Sequence, residues 1–276
     1  MKKCLFGKPH ILMAAGCLLA GLVMTASCSS KESKNDESMP NDSIVLGLDV
    51  SKYQGQIDWQ NLSLYCNCVI CNGYDIKGKC REKNLPVRFV IIRATKSSCV
   101  VDERFHNNFD NAKRQGIVRG AYHFLVDSVS GAKQAEHYLS VAKLEKGDLP
   151  PVLDMEKDRQ KNKTIELNVS VGEWRDIAKE WLRVVENHFG VKAVIYTNLN
   201  GYKNWIKNDE ILSNHDLWIA YPHEERDSLP QNWTFWQFSQ KGHARGITEN
   251  VVDLDLFNGT PQDLKQYIAE KGIGNR

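Results

Sequence analysis

Short apolar runs separated by segments of helical spacing constrain this chain more than any other feature. Ile44 to Val50 is almost continuously apolar and carries an acid, Asp49, near its end. Runs of the same kind return at Val87–Ala94, Ile117–Phe124 and Pro150–Glu156. Continuous apolarity is what a strand covered on both faces requires, as in a parallel sheet. Between the runs, Glu103 to Gln115 sets Phe105, Phe109 and Ala112 at helical spacing, with Gly116 as its stop. Ala132 to Leu144 is a second helix. Val169 to Phe189 is a third, carrying Trp174, Ile177, Trp181, Val184 and Val185 on one face before Gly190. Ile57-Asp58-Trp59 reads as a helix start after the first strand. Further strands are predicted at Val191–Thr197, Leu217–Ala220, Thr234–Phe238 and Val251–Leu256, the last three with little helix between them. This alternation predicts an α/β domain with a parallel barrel or sheet. A chain of 276 residues, 42% of them hydrophobic, can bury one such core.

Leu149-Pro150-Pro151-Val152-Leu153-Asp154-Met155-Glu156 holds the chemistry-bearing pair. Residues two apart in a strand share a face, so the Cβ atoms of Asp154 and Glu156 lie roughly 6–7 Å apart. Two carboxylates so placed repel when both are ionised, which favours a proton on one of them. Glycoside hydrolysis uses such a pair, one protonated acid and one carboxylate flanking the scissile bond. The plainer alternative is a solvated pair at a strand end. Asp49 sits near the C-terminal end of the first strand, where barrel active sites are built; its plain alternative is to cap the next segment.

Five ordered segments carry a resemblance: G-L-D-V-S-K-Y-Q-G-Q-I-D-W at 47–59, F-V-I-I-R-A-T at 89–95, G-A-Y-H-F at 120–124, P-V-L-D-M-E at 151–156, and W-Q-F at 236–238 followed by V-D-L-D-L-F-N-G at 252–259. Together they resemble the glycoside hydrolase family 25 lysozymes, the Chalaropsis-type muramidases, over roughly residues 44–260. The resemblance implies a single irregular TIM-like (β/α) barrel. It also implies cleavage of the β-1,4 bond between N-acetylmuramic acid and N-acetylglucosamine in peptidoglycan glycan strands, with no cofactor and no metal. Glu156 would be the general acid. Asp154 would either steer the substrate N-acetyl group or act as base for water. Asp49 matches the first-strand acid and Asp253 the last-strand acid, with Asp255 competing on the same face. Tyr53, Tyr122, Tyr196, Tyr221, Trp218 and Trp236 are candidate donors and sugar platforms; for the two tryptophans a core role is the alternative, and His123 is equally readable as a structural histidine. One departure stands out: the family often has A-T-E-G where this chain has Ala94-Thr95-Lys96-Ser97.

The N-terminus reads as an export signal. Lys2, Lys3 and Lys8 precede an apolar run from Ile11 to Thr25 that is short for a membrane span. Thr25-Ala26-Ser27-Cys28 resembles a lipobox, so residues 1–27 are expected to be a lipoprotein signal peptide with Cys28 lipidated. A rival box ends at Cys17, and ordinary cleavage near Ala26 is the other alternative. Residues 28–43 are polar and read as a tether from membrane to the barrel at 44–276. This implies a cell-envelope protein, on the periplasmic face or the cell surface, that meets the membrane through its lipid anchor only.

The stretch 64–86 interrupts the pattern and reads as an insertion. Cys66, Cys68, Cys71 and Cys80 crowd into it, with Cys99 just beyond the next strand. In an exported chain such cysteines favour disulfides, and a metal site is the weaker alternative because the spacing is not a strong zinc pattern. The formal charge is +2; 36 basic residues less the three N-terminal lysines leaves 33 against 34 acids, a net −1. That balance gives no reason to expect a nucleic-acid partner, and it leaves oligomeric state open. Two other functions fit less well. A glycan-binding barrel without activity has no need of the acid pair, and a chitinase-like hydrolase would carry the longer run Asp-x-x-Asp-x-Asp-x-Glu.

Overall fold

A computed structural model describes residues 44–65, 84–160, 163–222 and 229–274. The predicted signal and tether, Cys28 and the four cysteines at 66, 68, 71 and 80 lie outside the described residues, and among the described residues Cys99 is an exposed thiol with no disulfide partner. Eight strands form the barrel: β1 (Leu46–Val50), β2 (Phe89–Lys96), β3 (Val118–Phe124), β4 (Val152–Asp154), β5 (Val194–Asn198), β6 (Asp216–Ala220), β7 (Trp233–Gly242) and β8 (Val252–Phe257). Each pairs with the next in chain order, and β8 returns to β1, so the sheet closes. All neighbours are parallel except β8, which runs antiparallel to both β7 and β1.

That reversal is the form taken by the irregularity expected of the last strands, which have little helix between them. A parallel return needs a crossover of a dozen or more residues, usually through a helix; the link from Gly242 to Val252 is shorter and holds only a two-residue strand, Ala244–Arg245. A correction concerns Ile57-Asp58-Trp59. No full helix forms there, only a 3₁₀ turn at Trp59–Asn61, capped by Asp58. Ser63–Tyr65 pairs with both Ala244–Arg245 and Asn84–Leu85, so the predicted insertion leaves from a small antiparallel ribbon.

Helices α1 (Phe105–Arg114), α2 (Gly131–Val141) and α3 (Val171–Phe189) cross over between β2 and β5, and α4 (Pro261–Lys271) follows β8. α3 begins in a capping box between Ser170 and Glu173 and ends at left-handed Gly190. Its apolar stripe of Trp174, Ala178, Trp181, Leu182 and Val185 is buried.

The strands divide their side chains between two cores. Leu46, Leu48 and Val50 of β1, and Val90, Ile92 and Ala94 of β2, face the outer layer. Val45, Phe89, Ile91, Phe235 and Phe257 fill the interior, joined from below by Leu264 and Tyr267 of α4. Phe235 lies between Phe89 and Phe257, with ring centroids 5.3 and 5.4 Å away. Burying each such ring is worth roughly 1.5–3 kcal/mol. The interior has no spare room here: a Cβ on Gly47 would lie 2.4 Å from the Phe89 ring. This apolar plug fills the lower barrel and leaves the C-terminal mouth of the parallel strands to polar side chains.

Candidate active site

Register brings the acids together. Asp49 of β1 pairs with Asp253 of β8, and Gly47 pairs with Asp255. Because β8 is reversed, Asp253 lies level with the mouth and Asp255 one layer deeper. Both sequence candidates for the last-strand acid therefore belong to the site, at different depths. Asp49 and Asp255 are buried, and Trp218 Nε1 donates to Asp255 Oδ1 at 2.8 Å.

Gln237 links the cluster. Its Nε2 donates to Asp49 Oδ2 at 2.7 Å and to Asp253 Oδ2 at 3.2 Å. Its Oε1 accepts from the Tyr196 hydroxyl at 3.0 Å. Gln237 was not among the sequence candidates. The signal was present: period two puts it opposite Trp236 and Phe238, a lone amide on the inward face of an apolar strand.

Burial pushes the Asp49 and Asp255 carboxyls well above the usual range. For Asp49 the nearby Asp253 and Asp255 add to this and the Gln237 hydrogen bond opposes it; for Asp255 the Trp218 hydrogen bond opposes and Asp253 adds. Burial lifts Asp253 to about 7. Acids so close cannot all ionise together, so the cluster holds protons near neutrality.

Asp154 ends β4, level with Tyr196 of β5 and Phe124 of β3. It is buried, and its Oδ1 has no hydrogen-bond partner among the described residues. Burial raises its carboxyl well above the ordinary range, and Glu156 raises it further, while Arg93 and Lys96 pull it down. The backbone between the two acids is pinned: Met155 N donates to Tyr196 O at 2.9 Å, and Thr197 Oγ1 donates to Met155 O at 2.8 Å. Glu156 is half-buried and lines a cavity of about 200 Å³ with Asp127, Asp158, Ile165, Leu167 and Trp174. A larger cavity of about 850 Å³, on the flank beside Asp58 and Asn107, holds none of these acids. Convergent chemistry, not volume, locates the site.

The aromatic candidates separate. Tyr122, Tyr196 and Trp218 stand together inside the barrel, Trp218 at 4.5 Å from Tyr196 and 6.3 Å from Tyr122, centroid to centroid. Trp218 is buried, so it supports the tyrosines and Asp255 and offers no open face to a sugar. Tyr53 stands at the mouth, 62% exposed, with the Arg93 guanidinium 5.0 Å from its ring. Arg93 is itself held by Asp102, Nε to Oδ2 at 3.0 Å. Trp236 is buried in the outer core, its Nε1 donating to Tyr221 O at 3.1 Å, and Tyr221 packs on that same layer. For Trp236 the core alternative is the one realised, because odd and even positions of β7 face opposite ways.

His123 is also structural. It is fully buried between Thr95 and Gln134 and stacked on Trp181 at 5.7 Å. Gln134 donates through Nε2 to two backbone carbonyls, so its Oε1 accepts from His123 Nε2, and Nδ1 accepts from Thr95. Burial lowers the imidazole to about 3, which keeps it neutral.

The chain is similar to known proteins over most of its length. It is 32% identical over 238 residues to the uncharacterized protein YegX of Escherichia coli K12, covering 83% of this chain and 75% of that one. It is 27% identical over 232 residues to lysozyme M1 of Streptomyces globisporus, covering 80% and 70%. Among solved structures, a bacterial lysozyme from Streptomyces coelicolor superposes with a TM-score of 0.65 at 26% identity, covering 83% of this chain and 97% of that one. A family 25 glycosyl hydrolase from Bacillus anthracis gives 0.63 at 26%, covering 87% and 99%. Residues 48–247, which span the barrel from β1 almost to β8 and include Asp49, Asp154, Glu156 and Gln237, match the model of glycosyl hydrolases family 25, and the chain belongs to that family of glycosidases.

Proposed function

We propose that this chain hydrolyses peptidoglycan at the β-1,4 bond between N-acetylmuramic acid and N-acetylglucosamine. The observation that carries the reading is the convergence of Asp49, Asp154, Glu156 and Asp253 on one barrel mouth, in a family 25 chain related to a lysozyme. Glu156, half-exposed beside its cavity, gives a proton to the leaving oxygen of N-acetylglucosamine as the bond to the muramic acid C1 breaks. Positive charge develops on the muramic acid ring. Asp154, enclosed one step below, stabilises that charge and orients the N-acetyl group, and water finally adds to C1, giving its proton to the Glu156 carboxylate and restoring the acid. The enclosed position of Asp154 suits this work better than activating water from the open mouth.

Gln237 and Trp218 hold Asp49, Asp253 and Asp255 in one partly protonated cluster, whose outer member, Asp253, is open to sugar hydroxyls. Tyr122 and Tyr196 complete the inner wall, and Tyr53 supplies an open ring at the rim. Cys28 carries a lipid in this reading and residues 28–43 tether the barrel to the envelope membrane; the small-residue run before Cys28 supports this. The test of the reaction is the identity of the new reducing ends. Borohydride reduction of digested peptidoglycan should label muramic acid. Label on glucosamine would overturn the assignment.

A further inference from the structure

A lysine stands where the resembled family often has an acid, and the structure gives it a partner. Lys96 ends β2, and register places Lys96, Phe124 of β3 and Asp154 of β4 side by side across the mouth. Lys96 Nζ lies 4.5 Å from the Phe124 ring centroid and reaches Asp158 Oδ2 at 2.7 Å. Both charged side chains are about one-third exposed. The pair therefore crosses over Phe124, from β2 to the segment that carries Glu156. Asp154, Glu156 and Asp158 are alternate residues, and Lys96 bonds to the outermost of these three acids. An acid at position 96 would repel Asp158 instead of holding it. Ser97 follows in a left-handed turn with φ 57°, and its N–H donates to Phe124 O at 3.3 Å, which fixes the direction in which Lys96 leaves the strand.

We propose that the Lys96–Asp158 ion pair is a positioning device for the catalytic acids: it holds the segment bearing Glu156 against β2 and sets the balance of charge around Asp154. This rests on the reading above that Asp154 and Glu156 do the chemistry. Neither Lys96 nor Asp158 touches the reacting atoms in this account. Asp154 is faced by Glu156 and Asp158 from its own segment, Arg93 and Lys96 from β2, Tyr122 from β3, Tyr196 from β5 and Asp49 from β1. Of these, Lys96 lowers its proton affinity and Asp158 raises it. Two strand spacings separate Lys96 from Asp154, about 10 Å, a range at which a half-buried charge still acts on a buried one.

The opposite signs give the test. Lys96→Met and Asp158→Asn break the same ion pair. If the pair were only a structural clamp, both variants would change activity in the same way. If it also tunes Asp154, the acidic limb of the kcat/KM profile moves to higher pH in Lys96→Met and to lower pH in Asp158→Asn, each by about half to one unit. Lys96→Arg should restore the wild-type profile. Carbon-13 NMR titration of the Asp154 carboxyl in the folded variants should show the same opposed displacements without turnover. Opposed displacements in the NMR titration support the proposal even if Asp154 proves not to limit the rate, in which case the reading of its catalytic role fails and the charge balance stands. Displacements of the same sign in both variants, or none in the NMR titration, would overturn it.

Discussion

Replacing Asp253 with Asn should change the pH dependence of stability more than stability itself. Burial holds the Asp253 carboxyl at about 7 in the folded chain, against about 3.9 for an unfolded aspartate. The folded state therefore binds this proton more tightly. The stabilisation it confers is fully present below about pH 4 and is lost as pH rises through about 7. Three units at about 1.36 kcal/mol each give about 4 kcal/mol. That is an upper value, because Asp253 is partly open to water and Gln237 donates to its charged form. A difference of about 2–4 kcal/mol is therefore expected. Asp49 and Asp255 act in the same direction, and the Asp253 charge adds to the burial that raises each of them. The assay is urea unfolding of both proteins at about pH 4.5 and about pH 8.5, on either side of the titration. Wild type should lose more stability across that interval than Asp253→Asn does. Equal losses in the two proteins would refute the claim that this carboxyl is held protonated by burial.

Two further outcomes are expected. Ser97 takes a left-handed conformation that costs roughly 1–2 kcal/mol for a residue with a Cβ, so Ser97→Gly should raise stability by about 0.5–1 kcal/mol in the same unfolding assay; a loss would show that the serine side chain outweighs the strain. Cys28→Ala should leave the protein in the soluble fraction, or block its processing. A variant that stays membrane-bound at normal mature mass would place the anchor elsewhere.

Much of this architecture was legible because buried strands declare themselves. All eight barrel strands overlap predicted runs, and the helices at Phe105, Gly131 and Val171 begin within two residues of expectation. The direction of β8 was not legible from its own residues, since V-D-L-D-L-F reads alike either way. It followed from the link between Gly242 and Val252, which has no helix for a crossover. Ile57-Asp58-Trp59 misled because Ile57 and Trp59 are buried without a helix, on turns packed against the ribbon at Ala244–Arg245. The four acids were readable as a set, but their depths were not. Depth depends on register across the β1–β8 pair, which no local pattern encodes. Gln237 and Arg93 are hard to recognise because each is a single polar residue in a run that reads as core, and that isolation is itself the signal. Trp236 and Trp218 look alike as candidate platforms in the sequence but lie on different layers; alternation along β7 separates Trp236 from Phe235 and Gln237.

In the proposed reaction Glu156 donates the proton that releases the leaving sugar. Glu156→Gln keeps the shape and hydrogen-bonding capacity of the side chain and removes the transferable proton. Its effect falls on the transition state, so glycan binding should persist while kcat on peptidoglycan drops on the order of 10²–10⁴-fold. Asp154→Asn should add little beyond that loss, because both residues serve one transition state. The decisive measurement is the turnover of purified, folded Glu156→Gln on native peptidoglycan beside wild type. A loss of that size with retained binding is the predicted result, and turnover at the wild-type rate would contradict the account.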